Sequence, residues 1–128
     1  MKKIMMLLLV CAAVFVQSCR KEHPALAYLK TAALENWPYP TIGTAIMQSC
    51  QDPVWKVESE DKGVYTVTVS GRVRALSGEV MPLTVYFDVD PVEKEIDTDK
   101  IRLGKQTFSR YSDINEFWDF IYYRENGE

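Results

Sequence analysis

Hydrophobic and polar residues change their spacing repeatedly along this chain, and each change marks a different kind of element. Ile4 to Val16 is an uncharged, mainly apolar run of 13 residues. That length lies within the ~7–15 of a secretory signal core and short of the ~20 a membrane-spanning helix needs. Ala25 to Leu34 is rich in Ala and Leu. Leu26, Leu29 and Ala33 share a helical face there, which predicts a short helix, with an edge strand through Tyr28-Leu29-Lys30-Thr31 as the alternative. Trp37-Pro38-Tyr39-Pro40 is a break, because two prolines remove backbone donors and push their predecessors towards extended geometry. Thr41 then suits a helix N-cap. Ile42, Ala45, Ile46 and Ser49/Cys50 recur every three or four residues and Pro53 closes the run, predicting a helix of about ten residues.

From Val54 the period becomes two. Trp55 and Val57 alternate with Lys56 and Glu58, and Glu60-Asp61-Lys62-Gly63 reads as a turn. Tyr65, Val67 and Val69 oppose Thr66, Thr68 and Ser70, with continuation through Val73 and Ala75 after a bend at Gly71; Ser77-Gly78 turns the chain. Leu83, Val85, Phe87 and Val89 alternate with Thr84, Tyr86 and Asp88. These are marks of antiparallel strands with one buried face. Asp90 to Lys100 reads as an acidic loop. Ile101-Arg102-Leu103 with Thr107-Phe108 predicts a fourth strand interrupted at Gly104. At the end Ser112 is a candidate cap, Asp113 and Glu116 suit the positive end of a helix dipole, and Ile114, Phe117, Trp118, Ile121 and Tyr122 form an apolar stripe. The expected fold is α+β: a three- to four-stranded antiparallel meander with one or two N-terminal helices and a C-terminal helix packed on one face.

Composition narrows the class. The chain has 128 residues, 47% hydrophobic and 26% charged, ordinary for a folded protein and enough for one domain. With Lys2 and Lys3 set aside from 15 basic and 18 acidic side chains, the remainder carries an excess of five acids. The acids are dispersed, and a nucleic-acid partner, which needs a concentrated basic face, is not expected.

The leader is the most informative segment. Lys2 and Lys3 precede the apolar run, which meets Val16-Gln17-Ser18-Cys19. This junction resembles the lipobox of bacterial lipoproteins: a branched apolar residue three before a cysteine, then a small residue, then the cysteine. The resemblance implies cleavage between Ser18 and Cys19, with covalent diacylglycerol on the Cys19 thiol and an N-acyl chain on the new amino group. Two or three acyl chains hold a protein durably on a bilayer, whereas one is marginal. Arg20 follows the cysteine instead of the aspartate that signals inner-membrane retention in Gram-negative lipoproteins, which leans towards the outer membrane. The resulting organisation is signal peptide 1–18, lipidated tether 19–24 and a single α+β domain 25–128. Tyr39-Pro40-Thr41-Ile42-Gly43-Thr44-Ala45, then Asp52-Pro53-Val54-Trp55 and the Val64–Gly71 strand, are similar to a pattern in small envelope lipoproteins without an established activity. That similarity supports the fold alone.

Candidate chemistry is sparse. Cys11 leaves with the leader and Cys19 is taken by lipid, so Cys50 stands alone and an internal disulfide is not expected; it reads as a small buried residue on a helix. His23, the sole histidine, is placed on the tether, away from any nucleophile. Asp88, Asp90, Glu93, Glu95, Asp97 and Asp99 form an acidic stretch, but its spacing is not that of an EF-hand, and it reads as a solvated loop. No metal or dissociable cofactor is expected. Trp37 and Tyr39, between prolines, are either packed as a plug or displayed; together with Tyr123 they are the candidate partner-binding residues, while Trp55 and Trp118 have core spacing.

The function expected from sequence is that of a non-enzymatic binding or accessory module. Lipid would fix it to the cell envelope, where a protein would be its partner. An inhibitor or immunity-type lipoprotein is a variant of this reading. The alternative class is a small-ligand binder or hydrolytic enzyme using acidic residues.

Overall fold

The structure is a computed structural model that describes residues 22–127, except Glu35, Asn36, Pro38 and Leu76. The leader, the Ser18-Cys19 junction and the side chain of Tyr123 lie outside what is described. The chain is α+β. Helix α1 spans Pro24–Thr31 and α2 Ile42–Ser49. Five strands follow, β1 Cys50–Asp61, β2 Val64–Arg74, β3 Val80–Asp90, β4 Glu95–Leu103 and β5 Gln106–Phe108, and then helix α3, Tyr111–Gly127. The strands form one antiparallel sheet in the order β1-β2-β3-β4-β5.

Segment 25–34 is helical at its start, not an edge strand. Pro24 occupies the first turn, where its missing donor is harmless, and His23 caps it, with Nδ1 accepting from Ala25 N–H at 3.1 Å. His23 therefore belongs to the folded body, and its ring meets Tyr65 edge-on at 4.7 Å. Glu22 pairs with Lys30 on the same helix. Thr41 caps α2 as its sequence position predicts, accepting from Thr44 N–H at 3.3 Å.

The other end of α2 corrects the sequence reading. The helix stops at Ser49, and Cys50 already opens β1, so Cys50 is a buried strand residue and Pro53 sits inside a strand. Pro53 is tolerated because the β1–β2 register shifts between Gln51 and Val54, and Asp52 takes a positive φ of 53° there. Gly71 lies across from this bulge, where an added Cβ would stand 2.9 Å from the Gln51 carbonyl oxygen. Asp52 is tied back across the strands to Arg72 at 2.6 Å.

The expected three or four strands are five. The acidic loop Asp90–Lys100 is mostly strand: β4 begins at Glu95 and pairs Asp97 with Asp88, leaving a turn at Pro91–Lys94. Charge pattern hid this strand, because alternate carboxylates on the open face look the same as a solvated loop. Gly104, with a φ of 62°, turns the chain between β4 and β5 and so separates two strands, where an interruption within one was expected. Ser112 lies inside the first turn of α3, which begins one residue earlier.

One hydrophobic cluster joins the elements. Ala25 and Leu29 of α1, Ile42, Ala45 and Ile46 of α2, and the whole expected stripe of α3 meet alternate residues of β2 and β3, among them Val67, Val69, Val85, Phe87 and Val89. Trp118 is its largest fully buried side chain. It packs against Phe87 (ring centroids 6.0 Å), Phe117 (5.2 Å) and Tyr122 (6.1 Å), and its indole N–H donates to Thr98 Oγ1 at 3.2 Å. Trp55 is half-buried against this core, with Lys30 Nζ 5.2 Å from its ring centre. The opposite face is polar; Thr68, 5% exposed, donates to Glu58 at 3.0 Å.

Candidate functional site

The meander places its turns at two ends. The Lys62-Gly63 and Pro91–Lys94 turns lie at the end where the described chain begins, since His23 packs on Tyr65 at the start of β2. At the other end, β2 and β3 are joined through Ser77-Gly78, and β4 turns into β5. Here α3 crosses the sheet and leaves an apolar groove of about 410 Å³.

Its floor is built by strand ends: Val73 of β2, Met81 of β3, Leu103 of β4 and Phe108 of β5. Its wall is α3, through Phe117 and Phe120. These two rings and the acids Asp113 and Glu116 recur at helical spacing, so a single face of α3 carries both the apolar wall and the charged rim. Among the described residues, Asp113 and Glu116 are the only charged ones lining the groove. The groove thus offers aromatic and aliphatic surface edged by negative charge, suited to an apolar side chain with a cation beside it. Sequence reading missed it. The expected stripe of α3 stops short of Phe120, and the alternation pattern joins Phe108 to Ile101–Leu103 in one strand, whereas it lies on β5. The signal available was the wider spacing Asp113, Glu116, Phe117, Phe120, which exceeds what one core face requires.

A second cleft, of about 520 Å³, lies near the chain's described beginning, between Tyr28, Leu34, Val64 and the β3–β4 hairpin. Asp88, Asp90, Glu95 and Asp97 line it beside Lys94. Partial burial raises the carboxyl of Asp88 above its ordinary range, and Asp99 and Asp97 push it the same way. Among the described residues no group of three or more His, Cys, Asp or Glu is arranged to hold a metal ion. No described helix is long and apolar enough to cross a membrane.

Of the sequence-predicted aromatics, Trp37 and Tyr39 line neither site, and the side chain of Tyr123 lies outside the described residues. Trp37 is half-buried and stacks on Tyr122, with centroids 5.7 Å apart and planes at 28°. Tyr39, two residues on, is 83% exposed and lines neither the groove nor the acidic cleft. Comparison with protein-family models, with curated proteins and with solved structures finds no match to this chain.

Proposed function

We propose that this protein is a lipid-anchored module of the cell envelope that binds a protein partner without catalysing a reaction. The Val16-Gln17-Ser18-Cys19 junction supports the anchor, with diacylglycerol and an N-acyl chain at Cys19, and Arg20 supports the outer membrane as its place. The observation that carries the binding role is the acid-rimmed apolar groove at the end of the sheet remote from residue 22. Its occupant is an apolar segment of the partner flanked by Lys or Arg. Tethering raises the local concentration of such a module near membrane-held partners, so a modest contact suffices.

The test is cross-linking of the native protein in envelope membranes, followed by mass spectrometry. Reversing the rim with Asp113→Lys and Glu116→Lys removes the cross-linked partner, while Lys56→Glu on the polar sheet face retains it. Equal recovery from both variants overturns the groove as the contact. Cys19→Ala abolishes labelling by a fatty-acid probe and leaves the precursor uncut; persistent labelling overturns the anchor.

A second reading, a small-ligand binder or hydrolase working through carboxylates, is favoured by one observation: Asp88 sits in the acidic cleft with its carboxyl held above the ordinary range. Titration with Ca²⁺, followed through the backbone amide signals of Asp88, Asp90 and Asp97, tests its cation-binding form. Unmoved signals count against that form.

A further inference from the structure

The chain is fixed to the body from Glu22 onward, through the Glu22–Lys30 pair, the His23 cap and the His23–Tyr65 ring contact. If Cys19 carries the acyl chains, two residues, Arg20 and Lys21, separate the anchor from this fixed point, and the three steps from Cys19 to Glu22 reach about 10 Å. So short a tether leaves the body little choice of which end faces the bilayer. Tyr65 stands next to the Lys62-Gly63 turn and pairs with Val89, just before the Pro91–Lys94 turn. Both turns are braced by carboxylates: Glu60 accepts from Gly63 N–H at 2.8 Å, and Asp90 Oδ1 accepts from Val92 and Glu93 N–H at 3.1 and 3.0 Å. Between them they display Val92, 82% exposed, and Val64, 37% exposed.

We propose, resting on the lipid-anchor reading, that these two turns seat on the headgroup layer of a zwitterionic bilayer and hold the apolar groove facing away from it. Val92 supplies a small apolar contact and Lys62 and Lys94 reach the phosphates. The four acids of this end, Glu60, Asp61, Asp90 and Glu93, are matched in number by Lys62 and Lys94 together with Arg20 and Lys21 of the tether. A balanced end has no net preference for anionic lipid, so a zwitterionic headgroup layer suffices and the anchor supplies the affinity. Eight residues of β2 separate Tyr65 from Val73 on the groove floor, about 26 Å at ~3.3 Å per residue.

The lipidated protein in phosphatidylcholine vesicles tests this with an environment-sensitive fluorophore on Val92→Cys or, at the far end, Ser77→Cys. Both positions are exposed, while the native Cys50 is 7% exposed. A headgroup spin-label quencher should quench the label at 92 at least about threefold more than the label at 77, given a contact confined to one end. Equal quenching, or stronger quenching at 77, overturns the orientation. The mass of the same samples separates the two ideas: a diacylated Cys19 with equal quenching sinks the orientation alone, and an unmodified Cys19 sinks both.

Discussion

Replacing Gly43 with alanine sets two effects of opposite sign against each other on one helix. Glycine inside a helix is about 1 kcal/mol less favourable than alanine, so by propensity alone the substitution stabilises α2. Gly43 is buried, however, and α1 passes directly over it. A Cβ there would stand 2.7 Å from the Lys30 carbonyl oxygen, 3.0 Å from its Cβ and 3.1 Å from its Cα. Two of those neighbours are backbone atoms, so relief requires α1 and α2 to move apart. The same displacement disturbs the bond from Ile42 N–H to the Ala32 carbonyl, at 2.8 Å. Overpacking of this kind costs about 1–3 kcal/mol, and rigid obstacles place it in the upper half of that range. Subtracting the propensity gain leaves a net loss of about 1–2 kcal/mol, or roughly 4–16 °C in Tm for a domain of this size. Urea denaturation and a thermal melt of Gly43→Ala measure it. Met47→Ala, on the exposed side of the same helix, serves as control and should stay within about 0.5 kcal/mol of the parent. A Gly43→Ala protein as stable as the parent, or more stable, refutes a close α1–α2 approach.

Four further outcomes follow from the same structure. Trp118→Ala removes the largest buried side chain and should cost about 3–5 kcal/mol by urea denaturation, whereas Trp118→Phe, which loses chiefly the bond to Thr98, should cost clearly less; equal losses would deny the packing role. Thr41→Ala should destabilise by about 1 kcal/mol, recovered in large part by Thr41→Asn, because the side-chain oxygen is what the cap requires. Asp88 has a raised native pKa, so the folded state binds more protons than the unfolded state from the ordinary carboxylate range up to that value, and stability falls as pH rises through this window. Asp88→Asn should accordingly raise the urea midpoint at pH 7, with the gain shrinking as the pH drops below the ordinary carboxylate range. Phe120→Ser should weaken partner cross-linking through the groove while the far-UV circular dichroism stays unchanged.

Alternation and helical spacing made the frame legible where one face of an element is apolar and the other polar. Val67 and Val69 against Thr66 and Ser70, or Ile114, Phe117, Trp118 and Ile121 along α3, have a single burial solution, and the structure adopts it. Pattern failed where two signals overlapped. Pro53 reads as a helix stop, yet the helix had already ended at Ser49, and a bulge absorbs the proline within β1. Glu95 to Lys100 carries three carboxylates among six residues, which masks the apolar side of a strand reduced there to Ile96 and the indole-bonded Thr98. The groove was out of reach for another reason. Its floor joins the ends of four strands far apart in sequence, and only the sheet order brings Val73, Met81, Leu103 and Phe108 together. A tryptophan just before a proline is equally ambiguous on paper; Trp37 is packed because Tyr122, 85 residues later, offers it a ring.

The irregular outer strands have a consequence for behaviour in a crowd. Among the described residues β1 has no neighbouring strand on one long side, and a straight ribbon of that kind would zip onto the same ribbon of another copy. Pro53 lacks a donor, the register slips near Asp52 and again after Val57, and Lys56, Glu58 and Glu60 place charge along the border. At the opposite border β5 is three residues long. Neither rim offers an uninterrupted template, so many molecules confined to a small area can jostle without fusing into fibrils.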